Sequence, residues 1–290
     1  WVADGRGGLR ALDASTPGAL SEMTLAGDAQ VVGDPRCLDV RGDLLVLVGS
    51  GSGSRGLVAT LDVSDPGAPR LLGEAYRSRG SRSCALVGDR FYLAGGASGA
   101  YVYSVEDTGE LVELSRIVTA AAVSAVVPAG DLLMVVDDPG ELAQAPSSAF
   151  VSGLHVYRDG VVIGRLATLG LVAGVAVADD LAYVTDPTSG LHVFDVSDPA
   201  RPSELGRAVM PGIAGRVLVD GDVALVVDEP HGVRLVDVSD PSAPRPVGLF
   251  ARGEPERALA ARDGIGLVAD GYDLVVFGYT TPAAPREVGR

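Results

Sequence analysis

The sequence predicts an all-β, seven-bladed β-propeller, and three observations predict it. A strand pattern recurs every 42 to 49 residues, six of the seven units carry a two-residue turn, and five close on an Asp-Val-Ser-Asp-Pro corner or a weaker copy of it. The corner is clearest at Asp62-Val63-Ser64-Asp65-Pro66, Asp195-Val196-Ser197-Asp198-Pro199 and Asp237-Val238-Ser239-Asp240-Pro241. Weaker copies stand at Asp13-Ala14-Ser15-Thr16-Pro17 and Gly278-Tyr279-Thr280-Thr281-Pro282. A second proline follows at Pro69, Pro202, Pro244 and Pro285.

The two-residue turns are Gly42-Asp43, Gly88-Asp89, Gly130-Asp131, Asp179-Asp180, Gly221-Asp222 and Asp263-Gly264. Gly and Asp tolerate the positive φ that tight hairpins demand, so each turn predicts an antiparallel strand pair. Every unit then reads as four strands: A before the tight turn, B after it, C leading into the corner, and D after the prolines. Such a sheet buries both faces only against copies of itself, which is the logic of a propeller blade. The blades fall at about 1–30, 31–76, 77–118, 119–168, 169–210, 211–252 and 253–290, within a single domain spanning 1–290.

The stretches Gly-Leu-x-x-x-Asp-Val-Ser-Asp-Pro, preceded by Ala182-Tyr183-Val184-Thr185-Asp186, resemble the LVIVD repeat of bacterial, often exported, β-propeller proteins. The resemblance covers essentially the whole chain, clear around 57–73, 182–206 and 224–248 and blurred around 91–168. It implies the fold and an exported setting. It brings no shared catalytic residues.

Strands B, C and D recur seven times but strand A only six, so the first blade is expected to have three strands. Its missing inner strand is expected before Trp1 or beyond Arg290, with the chain part of a longer polypeptide. Because the chain opens on Trp1 rather than Met, the lack of a leader says nothing about compartment.

Composition bounds the partners. A net charge of −15 repels phosphate backbones, which argues against nucleic acid. No apolar run reaches the roughly 18–20 residues of a membrane span. The basic residues are all Arg, so no Lys Schiff base is available.

Hairpin arithmetic locates a candidate site. It places Arg257 opposite Asp270, Arg36 opposite Gly49 and Arg82 opposite Gly95. The B strands end in Asp4, Asp137, Asp186, Asp228 and Asp270 in five blades and in Gly in the second and third. These positions share one end of the A–B hairpins, and an acidic ring around the channel mouth is expected there. Arg36 and Arg82, with no facing carboxylate, form a positive notch able to hold a carboxylate or sulfate. The alternative is that each Asp caps its own turn and each Arg pairs with a nearby acid. The fourth blade adds an insertion between Asp137 and Gly153 carrying Glu141 and Phe150, expected to be mobile and an interaction loop.

No cofactor is expected, with Ca²⁺ on the ring carboxylates as the alternative. His155, His192 and His231 read as surface residues, not metal ligands. Cys37 and Cys84 fall on adjacent inner strands and are expected as two buried thiols, a disulfide being the alternative. The function expected is a non-catalytic, exported or surface-attached scaffold binding a protein, peptide or glycan on the channel-mouth face. The alternatives are a structural subunit of a surface assembly, and a hydrolase or lyase with Arg36 and Arg82 in an anion-binding central pocket.

Overall fold

A computed structural model describes the chain except residues 4–7, 14–15, 17–19, 26–32, 51–55, 78–82, 120, 139–152, 167–169, 252–257 and 270–272. The described residues form strands and turns and no α-helix. The strands make seven antiparallel sheets in sequence order, which are the expected blades. The first sheet has three strands among the described residues, β1 (Val2–Ala3), β2 (Leu9–Asp13) and β3 (Ser21–Met23).

The other six have four each. The second comprises β4 (Gly33–Arg41), β5 (Leu44–Ser50), β6 (Gly56–Asp62) and β7 (Arg70–Arg77). The third comprises β8 (Cys84–Val87), β9 (Arg90–Ala94), β10 (Ala100–Val105) and β11 (Leu111–Ile117). The fourth comprises β12 (Ala122–Ala129), β13 (Leu132–Asp138), β14 (Gly153–Arg158) and β15 (Val161–Leu166). The fifth comprises β16 (Gly174–Ala178), β17 (Leu181–Asp186), β18 (Gly190–Asp195) and β19 (Ser203–Ala208). The sixth comprises β20 (Ile213–Asp220), β21 (Val223–Glu229), β22 (Gly232–Asp237) and β23 (Arg245–Ala251). The seventh comprises β24 (Ala258–Arg262), β25 (Ile265–Ala269), β26 (Leu274–Gly278) and β27 (Arg286–Gly289).

All six two-residue turns close as their sequences predict. Arg41 pairs with Leu44, Val87 with Arg90, Ala129 with Leu132, Ala178 with Leu181, Asp220 with Val223 and Arg262 with Ile265. The first turn residue is left-handed whether it is Gly221 (φ 56°) or Asp179 (φ 51°), which is why only Gly and Asp stand there.

The corner works by short side-chain bonds. Asp62, Asp195 and Asp237 each accept the N–H of the serine two residues on, while Asp65, Asp198 and Asp240 accept that of Gly67, Ala200 and Ser242. The intervening Val63, Val196 and Val238 are buried, and their N–H groups donate to Asp43, Asp180 and Asp222 of the same sheet's A–B turn. The corner and the tight turn of one sheet are thereby tied together. A bulge follows in the C–D pair, for example at Val193/Phe194 and Leu235/Val236.

By contacts the chain forms two compact units. The first comprises residues 1–13, 21–149 and 157–162, and the second 14–20, 150–156 and 163–290. In the first unit β4 lies beside β8, and β12 beside β8 and β9. Val46, Val48, Phe91, Leu93 and Tyr103 are buried in that unit's core, each contributing on the order of 1.5–3 kcal/mol if fully buried. In the second unit β20 lies beside β16 and β17, and also beside β24, around Val193, Val217, Val226, Val268 and Phe277.

Neighbouring sheets also meet through their corners. A β-carbon on Gly164 or Gly248 would overlap the carbonyl of Pro199 or Pro282 in the next sheet's corner. One on Gly206 would come within 2.5 Å of the Ser242 carbonyl, and one on Gly73 within 3.1 Å of the Gly109 carbonyl. Thr60 donates a 2.6 Å hydrogen bond to that same Gly109 carbonyl. Glycine on strand D is thus the imprint of the following corner.

Candidate functional site

Of the residues expected to form the site, Asp4, Arg82, Asp270, Glu141 and Phe150 lie outside the described residues, as does Arg257. Arg36, Asp137, Asp186 and Asp228 can be placed.

Arg36 departs from the hairpin arithmetic. Gly33 pairs with Ser50 and Cys37 with Val48, so three residues of β4 stand against Gly49 alone. That bulge contains Asp34 at φ 42°, followed by Pro35. It turns Arg36 back to Asp34, with Nη2–Oδ2 at 2.8 Å. The expectation that Arg36 lacks a partner within its own blade is therefore corrected. A proline, which cannot donate to the ladder, and a left-handed aspartate break the simple register.

The described B-strand carboxylates are buried. Asp137 is 7%, Asp186 3% and Asp228 0% exposed. Asp228 uses both oxygens. Oδ1 accepts the Gly212 N–H at 2.8 Å, and Oδ2 accepts Arg234 Nε at 2.6 Å with His231 Nδ1 3.7 Å away. Its carbonyl accepts the His231 N–H, closing the B–C turn.

Asp186 holds the equivalent turn of the fifth sheet through one oxygen only. Oδ1 accepts the Thr188 N–H (2.7 Å), the Thr188 hydroxyl (2.6 Å) and the Ser189 N–H (3.0 Å). Oδ2 is buried without a hydrogen-bond partner and faces Gly170. Burial raises the pKa of this carboxyl, but the hydrogen bonds from Thr188 and Ser189 outweigh it and hold the group below its ordinary value.

Where Arg234 reaches Asp228, the matching residue in the fifth sheet, His192, turns elsewhere. Its Nε2 lies 2.7 Å from Ser189 Oγ and its Nδ1 2.9 Å from Glu204 Oε1. A hydroxyl, an imidazole and a carboxylate in line resemble the parts of an activated nucleophile. The N–H groups of Thr188 and Ser189 donate to Asp186 and so are not free to hold an oxyanion. The line ties the B–C turn to β18 and β19. His155 and His192, read from sequence as surface residues, are 8% and 6% exposed. They sit on β14 and β18, and their burial among neighbouring side chains is a correction to that reading. Thr188 and the half-exposed His231 remain at the tips of these braced turns.

The two cysteines are also corrected. Cys37 on β4 and Cys84 on β8 form a disulfide, their Cα atoms 6.0 Å apart. Neighbouring A strands here converge to within bridging distance, which sequence spacing cannot reveal.

Comparison with known proteins agrees with the repeat. Residues 169–209 and 211–251, the fifth and sixth blades, match the LVIVD repeat family model. No match was found among curated proteins. Among solved structures the chain is similar to the crystal structure of the computationally designed Ika8 protein, at 12% identity. That likeness covers 99% of this chain and 89% of that one, with a TM-score of 0.68, and it speaks for the fold alone.

Proposed function

We propose that this LVIVD-repeat β-propeller is an exported, non-catalytic binding scaffold that presents its B–C turns to a protein, peptide or glycan partner. The observation that carries the reading is the bracing of those turns. Buried Asp186 holds the two residues of its own turn through Oδ1, and the Asp228 carbonyl closes the matching turn while its carboxylate anchors Gly212 ahead of β20 and Arg234 on β22. A loop held this way is already in its binding shape, which lowers the ordering cost of association. Export is supported by the Cys37–Cys84 disulfide, because such bonds persist in oxidising compartments and are rare in reducing ones.

The experiment sets His231→Trp, at an exposed turn tip and with its N–H still free to close the turn, against wild type in capture from the source cell's surface fraction. Loss of a specific partner with unchanged melting temperature supports the reading. Full retention of every captured partner overturns it. For the compartment, thiol trapping of the protein taken directly from its native cells should find Cys37 and Cys84 oxidised. Free thiols would refute export.

A further inference from the structure

We infer that a groove between the third and fourth sheets is a separate binding site for an uncharged saccharide. The groove exists because one seam lacks its corner. The fourth sheet joins C to D by the two-residue turn Asp159-Gly160 (φ 51° and 77°) in place of an Asp-Val-Ser-Asp-Pro corner. Ser115 on β11 is exposed beside that turn, whereas Pro199, Ser242 and Pro282 crowd the matching positions of their neighbours.

The sequence of β11 matches this difference. Ser115 pairs with Val102 at the position that Gly73, Gly206 and Gly248 occupy in their own C–D pairs. In the second, fifth and sixth sheets glycine stands where a corner presses on strand D, and in the third serine takes its place. The bulged residue beside it, Leu114, is 48% exposed, and Val112 42%. A missing corner and a serine in the glycine column are two independent sequence changes with one spatial result.

That result is a cavity of about 410 Å³, a size suited to one or two sugar rings. Its walls include Tyr92 and Tyr157 with Leu114, and its polar groups include Arg90, Ser115 and Asp159. Charges at the groove nearly cancel. Arg158 binds Asp131 at 2.7 Å and Asp89 lies 3.6 Å from Arg90, while Asp159 carries no ion pair among the described residues. One net negative charge at the groove, in a chain of net charge −15, disfavours an anionic ligand, and the mixed donors and acceptors of the lining suit a neutral one. A pyranose ring offers an apolar C–H face for tyrosine and leucine, and vicinal hydroxyls that need both donors and acceptors. Arg90 donates, Asp159 accepts, and the Ser115 hydroxyl does both.

The test uses the purified full chain with maltotriose, cellotriose, xylotriose and chitotriose at millimolar concentration, read by saturation-transfer NMR. Affinity for any binder is then measured by calorimetry. Ser115→Trp, at an exposed position, fills the groove, and Asp159→Asn removes its one unpaired charge. Val209→Ser alters an exposed apolar residue outside the lining. At least one sugar should bind, Ser115→Trp should weaken it by about tenfold or more, or about 1.4 kcal/mol, and Val209→Ser should not. Unchanged melting temperatures confirm that folding is intact. No binding by any sugar overturns the inference, as does binding that Ser115→Trp leaves untouched. Preference for a basic peptide over every sugar overturns the ligand class.

Discussion

The seam at Gly248 and the seam at Ser115 are built from the same repeat and end differently. At Gly248 the following corner brings the Pro282 carbonyl so close that no side chain fits. At Ser115 the following sheet turns in two residues, and strand D stays uncovered. A repeat protein thus packs its blades by a matched pair, a corner on one and a glycine on the other. At the seam of Ser115 both members are changed. The third sheet, which has the uncovered seam, is also the one that Cys84 ties to the second. That link crosses a seam which also has its corner contact, where Gly73 and Thr60 meet the Gly109 carbonyl.

The largest effect should come from that link. Replacing Cys37 and Cys84 by Ser together is expected to cost about 4 kcal/mol, from the chain-entropy estimate for a loop of this length. Denaturant unfolding of wild type with and without reductant measures it. A loss near zero would mean that the corner contact of the second and third sheets suffices without the link. Gly248→Ala comes next. Its β-carbon must displace the Pro282 carbonyl, and overpacking of this kind costs roughly 1–3 kcal/mol.

A hydrogen-bonded clasp between the sixth and seventh sheets sharpens the closed side of the comparison through pH. The Tyr279 hydroxyl donates to Asp220 Oδ2 at 2.6 Å, and the Gly264 N–H donates to the same oxygen. The hydrogen bond from Tyr279, followed by that from Gly264, holds the Asp220 carboxyl below its ordinary value. Burial, then the bond to Asp220, raises the Tyr279 hydroxyl. For a depressed carboxyl the stabilisation is present above its unfolded pKa, about 4, and fades as pH falls through the lower folded value. Tyr279→Phe should cost about 1 kcal/mol at neutral pH and make the acid limb of stability against pH shallower. An identical acid limb in the variant would remove the clasp from the account. The smallest effect belongs to Ser115→Ala, expected to lie within about 0.5 kcal/mol because the position is exposed and no corner rests on it. A cost as large as that of Gly248→Ala would abolish the distinction between the seams.

The fold was legible because its signals are local. A Gly-Asp pair needs only its own φ angles to set a hairpin, and an Asp-Val-Ser-Asp-Pro corner satisfies its own N–H groups. What depended on distance between sheets was not legible. The 6.0 Å approach of Cys37 and Cys84, and the pressure of Pro282 on Gly248, arise only when blades stack. The candidate site suffered from both limits. Asp34 and Pro35 shifted the ladder beneath Arg36. Asp186 and Asp228 end their strands as expected, but face inward to backbone N–H groups, a role that residue type alone does not distinguish from a rim. The turn Asp159-Gly160 carried a readable hairpin signal in the blurred fourth blade. Its meaning appeared only beside Ser115.

The bridge from Cys37 to Cys84 also has a mechanical consequence. A force pulling on the two ends of the chain can unravel sheets but cannot extend the residues between the sulfurs. At ~3.3–3.6 Å per residue, the 47-residue separation withholds about 160 Å of contour length from the stretched chain. Under tension the chain from Cys37 in β4 to Cys84 at the start of β8 would stay a closed loop, ready to refold when the pull is released.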